Sequence, residues 1–248
     1  MFRLESGKFT DVPKETEELC CSNNSISSLK EISSIVNLQK LYCYENSLTS
    51  LEGISTLVNL RELYCSFNSL TSLEGISTLV NLQKLWCSYN SISSLKGISS
   101  LVNLQELFCF ENSLTSLGGI SSLVNLQRLN CNYNAISSLK ELSSLVNLQE
   151  LCCSNNSISS LEGISGLMDL QRLSVNSNNL RSLKHLPSNI VLCFFIDNQI
   201  ISFYGHSSEY HEVSETSKFL KLKDKRKNPL SYVGLLSEEN LYKLYVFF

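Results

Sequence analysis

The chain has 248 residues, a net charge of −3, 17% charged residues and 43% hydrophobic ones. That balance excludes the basic excess of a nucleic-acid-binding domain and the charge-rich, apolar-poor composition of a disordered chain. No uninterrupted apolar run approaches the roughly 20 residues that span a bilayer. The N-terminus, Met1-Phe2-Arg3-Leu4-Glu5-Ser6, has no apolar h-region, so we expect no secretory signal and no contact with membrane.

From the N-terminus, Phe2, Leu4, Phe9 and Val12 fall at the spacing of a degenerate half-unit, with Gly7 in its turn and Pro13 reversing the chain. Residues 1–18 are therefore expected to form an N-terminal cap. From Leu19 onward the chain repeats. Cys21, Cys43, Cys65, Cys87, Cys109, Cys131 and Cys153 recur every 22 residues, and units begin at Leu19, Leu41, Leu63, Leu85, Leu107, Leu129, Leu151 and Leu173. A constant period in this range is the mark of a solenoid. In the unit Leu63–Lys84, Leu63 and Cys65 share one face of a short strand while Tyr64 and Ser66 share the other. Leu70, Leu73, Ile76, Leu79 and Leu82 then recur every three residues, which suits a tight coil or 3₁₀ return path. One unit cannot bury its own apolar edge, so the units must stack. The sixth position carries Asn24, Asn46, Asn68, Asn90, Asn112, Asn134, Asn156 and Asn178, where an amide can satisfy backbone groups left open by the turn.

A ninth, shortened unit starts near Cys193 and reaches Asn198 and Ile200, which sets the repeat region at 19–203. Residues 204–248 read as a charged linker, including Lys223-Asp224-Lys225-Arg226-Lys227, followed by a short helix. Ser237-Glu238-Glu239 supplies the helix start ahead of Leu241, Leu244 and Val246. We expect this helix to cap the last repeat.

The pattern L-x-x-L-x-C-x-x-N-x-L-x-x-L resembles a leucine-rich repeat, with Cys in the third strand position. The phrase Leu-Glu-Gly-Ile-Ser-Thr-Leu-Val-Asn-Leu at 51–60 is similar to the 22-residue class found in internalins and in a regulatory subunit of protein phosphatase 1. Leu186-Pro187-Ser188-Asn189 resembles the shorter repeats of some bacterial effectors. The resemblance implies an α/β-type solenoid, curved, with a parallel β-sheet on the concave face and short 3₁₀ or coil segments on the convex face. It is specific as to fold, whereas function belongs to the site.

Four columns decide the functional reading. Thiols in parallel register stand about 4.8 Å apart and point the same way. A disulfide needs closer, facing Cβ atoms, and a metal needs four convergent ligands. The cysteines therefore read as a compact apolar spine in a reducing compartment, the cytoplasm or another intracellular one. Cys20 and Cys152 occupy the outward second position instead. The residues preceding each first Leu alternate in sign: Glu18, Lys40, Glu62, Lys84, Glu106, Arg128, Glu150 and Arg172. Stacked in register they favour the correct alignment of strands.

The outward second position runs Cys20, Tyr42, Tyr64, Trp86, Phe108, Asn130, Cys152 and Ser174. Beside its aromatics lie Tyr44, Phe67, Tyr89, Phe110 and Tyr133 in the fourth and fifth positions. Large aromatics in a column facing water suggest a binding surface; an intramolecular aromatic ladder chosen for strand preference is the alternative. Units 41–62 and 63–84 differ only at Tyr44/Ser66, Glu45/Phe67, Arg61/Gln83 and Glu62/Lys84, all of which map beside the strand. Duplication followed by change at a ligand face, or drift where packing constrains least, would each give this.

No catalytic set is visible. His185, His206 and His211 lie late in the chain, and neither a phosphate loop nor metal-ligand spacing occurs. The sequence therefore points to a monomeric, non-enzymatic interaction scaffold without cofactor. Its partner is another protein, held through Tyr42, Tyr44, Tyr64, Phe67, Trp86, Tyr89, Phe108, Phe110 and Tyr133. A structural or self-associating repeat protein is the second reading.

Overall fold

The computed structural model describes residues 1–4 and 8–200, together with the backbone of 219–221. Gly7, Phe203, His206, His211, the basic run at 223–227 and the expected helix at 237–246 lie outside the described residues. Short strands succeed one another at the repeat spacing: β1 (Phe2–Arg3), β2 (Glu18–Cys20), β3 (Lys40–Tyr42), β4 (Glu62–Tyr64), β5 (Lys84–Trp86) and β6 (Glu106–Phe108). They continue through β7 (Arg128–Asn130), β8 (Glu150–Cys152), β9 (Arg172–Ser174), β10 (Leu192–Phe194) and β11 (Phe219–Lys221). All join one sheet in chain order. From β1 to β10 every pairing is parallel, and the register places each first Leu beside the next, as in Leu41↔Leu63 and Leu63↔Leu85. β11 returns antiparallel onto β10, pairing Cys193 with Leu220. It covers backbone groups that an edge strand would otherwise leave open.

The interior is the sequence pattern closed into a coil. Leu63 and Cys65 are fully buried, as are Leu70, Ile76, Leu79 and Leu82, and their equivalents behave alike along the stack. The leucines spaced by three lie on a return path that tightens into 3₁₀ turns at Lys30–Ser34, Ile54–Thr56, Lys96–Ile98 and Lys140–Leu142. At the N-terminal end Leu4, Phe9 and Val12 are buried in the same core. Coils stack closely enough that some positions admit no side chain. Gly163 has φ +105°, and a Cβ there would sit 2.2 Å from the carbonyl oxygen of Leu139 in the preceding coil.

The asparagine column closes the turns. The Oδ1 of Asn112 accepts from the backbone N–H of Ile92 at 2.8 Å, and its Nδ2 donates to the carbonyls of Cys87, Cys109 and Phe110. Asn68, Asn90, Asn134, Asn156, Asn178 and Asn198 repeat the arrangement. Each amide therefore ties its own coil to the one before it. A second asparagine column on the flank is lighter, one bond per coil, as from Asn125 Nδ2 to the carbonyl of Val102.

All ten cysteines are free thiols. Cys21, Cys43, Cys65, Cys87, Cys109, Cys131 and Cys153 are buried along the core, with Val175 taking the place in the eighth unit, while Cys193 is buried in the leucine column opposite Leu173. Burial pushes the Cys65 and Cys109 thiols up to about 12 from an ordinary 9.0, and holds Cys43, Cys87, Cys131 and Cys153 well above it. In the unfolded chain these thiols ionise near pH 9, while in the folded chain they remain protonated up to about pH 12. The unfolded state thus releases protons first, and stability falls through that window by about 1.4 kcal/mol per pH unit for each such thiol. We expect the melting temperature to be flat from pH 7 to 8.5 and to drop steeply above pH 9, as followed by circular dichroism under reducing conditions. A flat profile to pH 11 would mean that the spine is solvated.

Candidate functional site

The side chains that alternate with the core leucines and cysteines form the outer face of the sheet. Tyr42, Tyr64, Trp86 and Phe108 come from the ends of β3 to β6, and the register brings them into one column. Tyr42 and Tyr64 stack with centroids 4.7 Å apart, Trp86 and Phe108 stack at 5.0 Å, and Tyr64 meets Trp86 edge to face at 4.9 Å. These four are half-buried. A second column runs beside it, with Phe67 stacked on Tyr89 at 4.2 Å and Tyr89 edge to face with Phe110 at 5.1 Å. Tyr44 is half-buried in the second unit, and Tyr133 is exposed in the sixth. The structure thus joins seven of the nine sequence-derived candidates into two ladders, with Tyr44 and Tyr133 in flanking units. Pair stacking adds about 0.5–1.5 kcal/mol beyond burial, so the ladders also stiffen the sheet.

The charged column borders the ladders. Lys40 lies 3.3 Å from Glu18 and 3.8 Å from Glu62, Lys84 lies 3.7 Å from Glu106, and Arg128 also pairs with Glu106. Arg172 meets Glu150 at 3.1 Å. Hydrogen bonding to Glu18, then the charge of Glu62, holds the Lys40 ammonium above its ordinary pKa. The Tyr64 hydroxyl donates to Glu62 at 2.6 Å; burial, then this bond, raises the phenol pKa. Trp86 Nε1 and Ser88 Oγ are buried on this face without a hydrogen-bond partner among the described residues.

Beyond Phe108 the face changes character. Asn130 is buried and ends the first ladder. Small polar groups come next: Ser154 Oγ lies 2.8 Å from Ser174 Oγ and accepts from the Asn176 N–H, while Asn132 Oδ1 accepts from the Ser154 N–H. Cys152 sits among them, its thiol pushed up to about 12 by burial and then by Glu150. This half satisfies itself. Off the sheet, a shallow polar groove runs along the flank past Asn37, Gln39, Asn59, Arg61, Asn81 and Gln83. Of the positions that differ between the two similar units, Arg61 and Gln83 fall here, away from the aromatics. No cluster of metal-ligating side chains occurs among the described residues, and no helix among them is long and apolar enough to cross a membrane.

The fifth position carries a constraint that hydrophobic patterning does not reveal. Its backbone is left-handed in every coil, at φ 55° for Phe67, 52° for Tyr89 and 52° for Tyr133. Asn and Asp tolerate that region, and the chain uses Asn23, Asn155 and Asp197 there. Large side chains do not favour it, at roughly 1–2 kcal/mol each. Phe67, Tyr89 and Tyr133 are nevertheless 41–48% exposed, so burial does not offset the strain. The recurrence of Asn at this position in other units was the available signal.

Residues 58–101, 102–144 and 146–188 each match the family of leucine-rich repeats in two copies, together more than half of the chain. The protein belongs to the leucine-rich-repeat family. Among solved structures, internalin F from Listeria monocytogenes superposes with a TM-score of 0.71 at 22% identity, over 76% of this chain and 57% of that one. The chain thus spans little more than half of that structure's length. The functional domain of InlJ from the same organism, which includes a cysteine ladder, gives 0.58 at 26% identity over 75% and 45%. The ectodomain of the Arabidopsis thaliana receptor kinase GASSHO1/SCHENGEN3, in complex with Casparian strip integrity factor 2, gives 0.64 at 26% over 73% and 24%. No curated protein matches by sequence. Proteins of this family are in general interaction scaffolds, typically without enzymatic activity.

Glu45 shares the left-handed position, at φ 54°, with no side-chain partner among the described residues. Glu45→Asn should therefore raise stability by about 1 kcal/mol in urea unfolding, the relief of backbone strain. A loss of stability would show that the turn is not strained.

Proposed function

We propose that the chain is a non-enzymatic scaffold that grips a partner protein through the aromatic half of its sheet's outer face. The contact residues are Tyr42, Tyr44, Tyr64, Phe67, Trp86, Tyr89, Phe108, Phe110 and Tyr133. The observation that carries this reading is the set of exposed aromatics, Phe67, Tyr89 and Tyr133, held in left-handed backbone that Asn and Asp tolerate better than aromatics do. Strain concentrated on exposed, apolar side chains is a feature of binding surfaces. Tyr and Trp further supply much of the energy of protein interfaces. A similar ectodomain, described in complex with Casparian strip integrity factor 2, supports a binding role.

We further propose that residues 1–18 cap a solenoid spanning 19–203, and that the chain works as a monomer in a reducing compartment. The buried, unpaired cysteine spine favours such a compartment.

Affinity capture from the native cell, using the full chain as bait, tests the surface. Phe67→Ser combined with Tyr89→Ser, and separately Tyr64→Asp combined with Trp86→Asp, should leave the circular dichroism spectrum in place and reduce partner recovery at least about tenfold, as expected for central interface aromatics. Full recovery by both folded variants would remove this surface. Loss of recovery accompanied by concentration-dependent sedimentation of the parent chain would favour self-association instead.

A further inference from the structure

The outer face is not neutral once its internal pairs are set aside. The column preceding each first Leu holds four acids and four bases that alternate, and each of them joins an ion pair, in the groups Glu18–Lys40–Glu62, Lys84–Glu106–Arg128 and Glu150–Arg172. In the second, fourth and fifth positions of the eight units from Leu19 to Lys184, the charged residues are Glu45 and Glu111, and no Lys or Arg occurs. Glu45 is exposed and Glu111 is half-buried. Both have left-handed backbone, at φ 54° and 52°. Neither carboxylate has a partner among the described residues, so the fold gains nothing from them at a position where they cost strain. They also flank the stacked pair Phe67 and Tyr89 in one column, in the order Glu45, Phe67, Tyr89, Glu111.

Within the stacked pairs each ring closes one face against its neighbour. Phe67 stacks on Tyr89 at 4.2 Å with planes 14° apart, and Tyr42 on Tyr64 at 4.7 Å with planes 4° apart. The faces engaged in this way are closed to a sugar or a nucleobase, which stack on ring faces, and the two carboxylates flanking Phe67 and Tyr89 disfavour a phosphate-bearing ligand. Ring edges accept aliphatic groups, and they carry the positive end of the quadrupole, which suits peptide carbonyls. The observations therefore favour a polypeptide with cations at both ends of an apolar contact.

Resting on the proposed docking surface, we infer that this face binds an extended segment of a partner protein with the pattern basic–x–apolar–x–basic, its cations meeting Glu45 and Glu111. The spacing is set by geometry. Glu45 and Glu111 are three strand steps apart, about 14 Å at roughly 4.8 Å per step. An extended segment lying along the stack covers about 13 Å in four residues. Four is an even number, so the first, third and fifth side chains all point to the same side. The first and fifth reach the carboxylates while the third lies on Phe67 and Tyr89. A separation of three or five residues would turn one cation away.

The test uses the full chain and fluorescein-labelled peptides built on Arg-Ser-Leu-Ser-Arg. Anisotropy is the readout, and the emission of Trp86, the single tryptophan, serves as a second signal at the site. Binding should be strongest with the arginines four residues apart, fall when they are three or five apart, and be absent when both are glutamate. Glu45→Gln with Glu111→Gln should weaken it about tenfold, and raising salt from 0.05 to about 0.5 M should weaken it likewise. Equal binding at all spacings, binding of the glutamate peptide, indifference to the double Gln variant, or no binding of any peptide would overturn the inference. Partner capture that depends on Phe67 and Tyr89 yet ignores the Gln variant would spare the docking surface and reject this pattern alone.

Discussion

Each turn of the coil brings several backbone carbonyls and an amide into the interior just after the strand, where water cannot reach them. Left unpaired, such groups cost about 1–3 kcal/mol each, and a stack of nine coils would not survive the sum. One asparagine per coil resolves this, with Asn112 accepting from Ile92 and donating to Cys87, Cys109 and Phe110. The amide reaches back one coil as well as across its own, so the bond that closes a turn also fixes the neighbour's register. Two further features depend on that position: the strand ends where the asparagine begins its work, and the residue before it is forced into left-handed backbone.

The same geometry produces the candidate binding face. Because every coil is locked to its neighbour at one height, equivalent side chains fall into columns a strand step apart. A column of aromatics then stacks, as Tyr42 does on Tyr64, and a column of alternating charge pairs, as Lys40 does between Glu18 and Glu62. Repetition thus turns single substitutions into local patches on a uniform frame. The aromatics, from Tyr42 to Phe110 with Tyr133 beyond them, and the small polar groups between Asn130 and Asn176 share one backbone and differ only in what the columns carry. At the fifth position the scaffold carries large side chains that its own stability does not favour.

Most of the fold was legible in the residues. The period of 22, the leucines every three positions and the asparagine column dictated the stack, the return path and the inner ladder. The parallel thiols were correctly read as a spine, since their spacing forbids disulfides. Less could be read of the ends. The antiparallel strand Phe219–Lys221 lies in a stretch read as a charged linker, because Phe219, Leu220 and Leu222 make too short an apolar run among charged neighbours to mark a strand. For the site, the sequence named the aromatics and offered a ladder among them as the alternative reading, but not which rings stack and which meet edge to face. Whether neighbouring rings stack or stand apart depends on rotamers that a column of letters does not specify. Nor did hydrophobic patterning expose the strain at Phe67 and Tyr89, which is a property of φ.

The inner amides, rather than asparagine in general, hold the coil. Urea unfolding of Asn112→Ala beside Asn125→Ala tests it most directly, since the two residues are thirteen positions apart and differ in what they bind. Asn112→Ala, which strips four backbone groups of partners, should lose about 3 kcal/mol or more, and Asn125→Ala, whose single bond lies at the surface, under about 1 kcal/mol. Equal losses, or a stable Asn112→Ala chain, would contradict it.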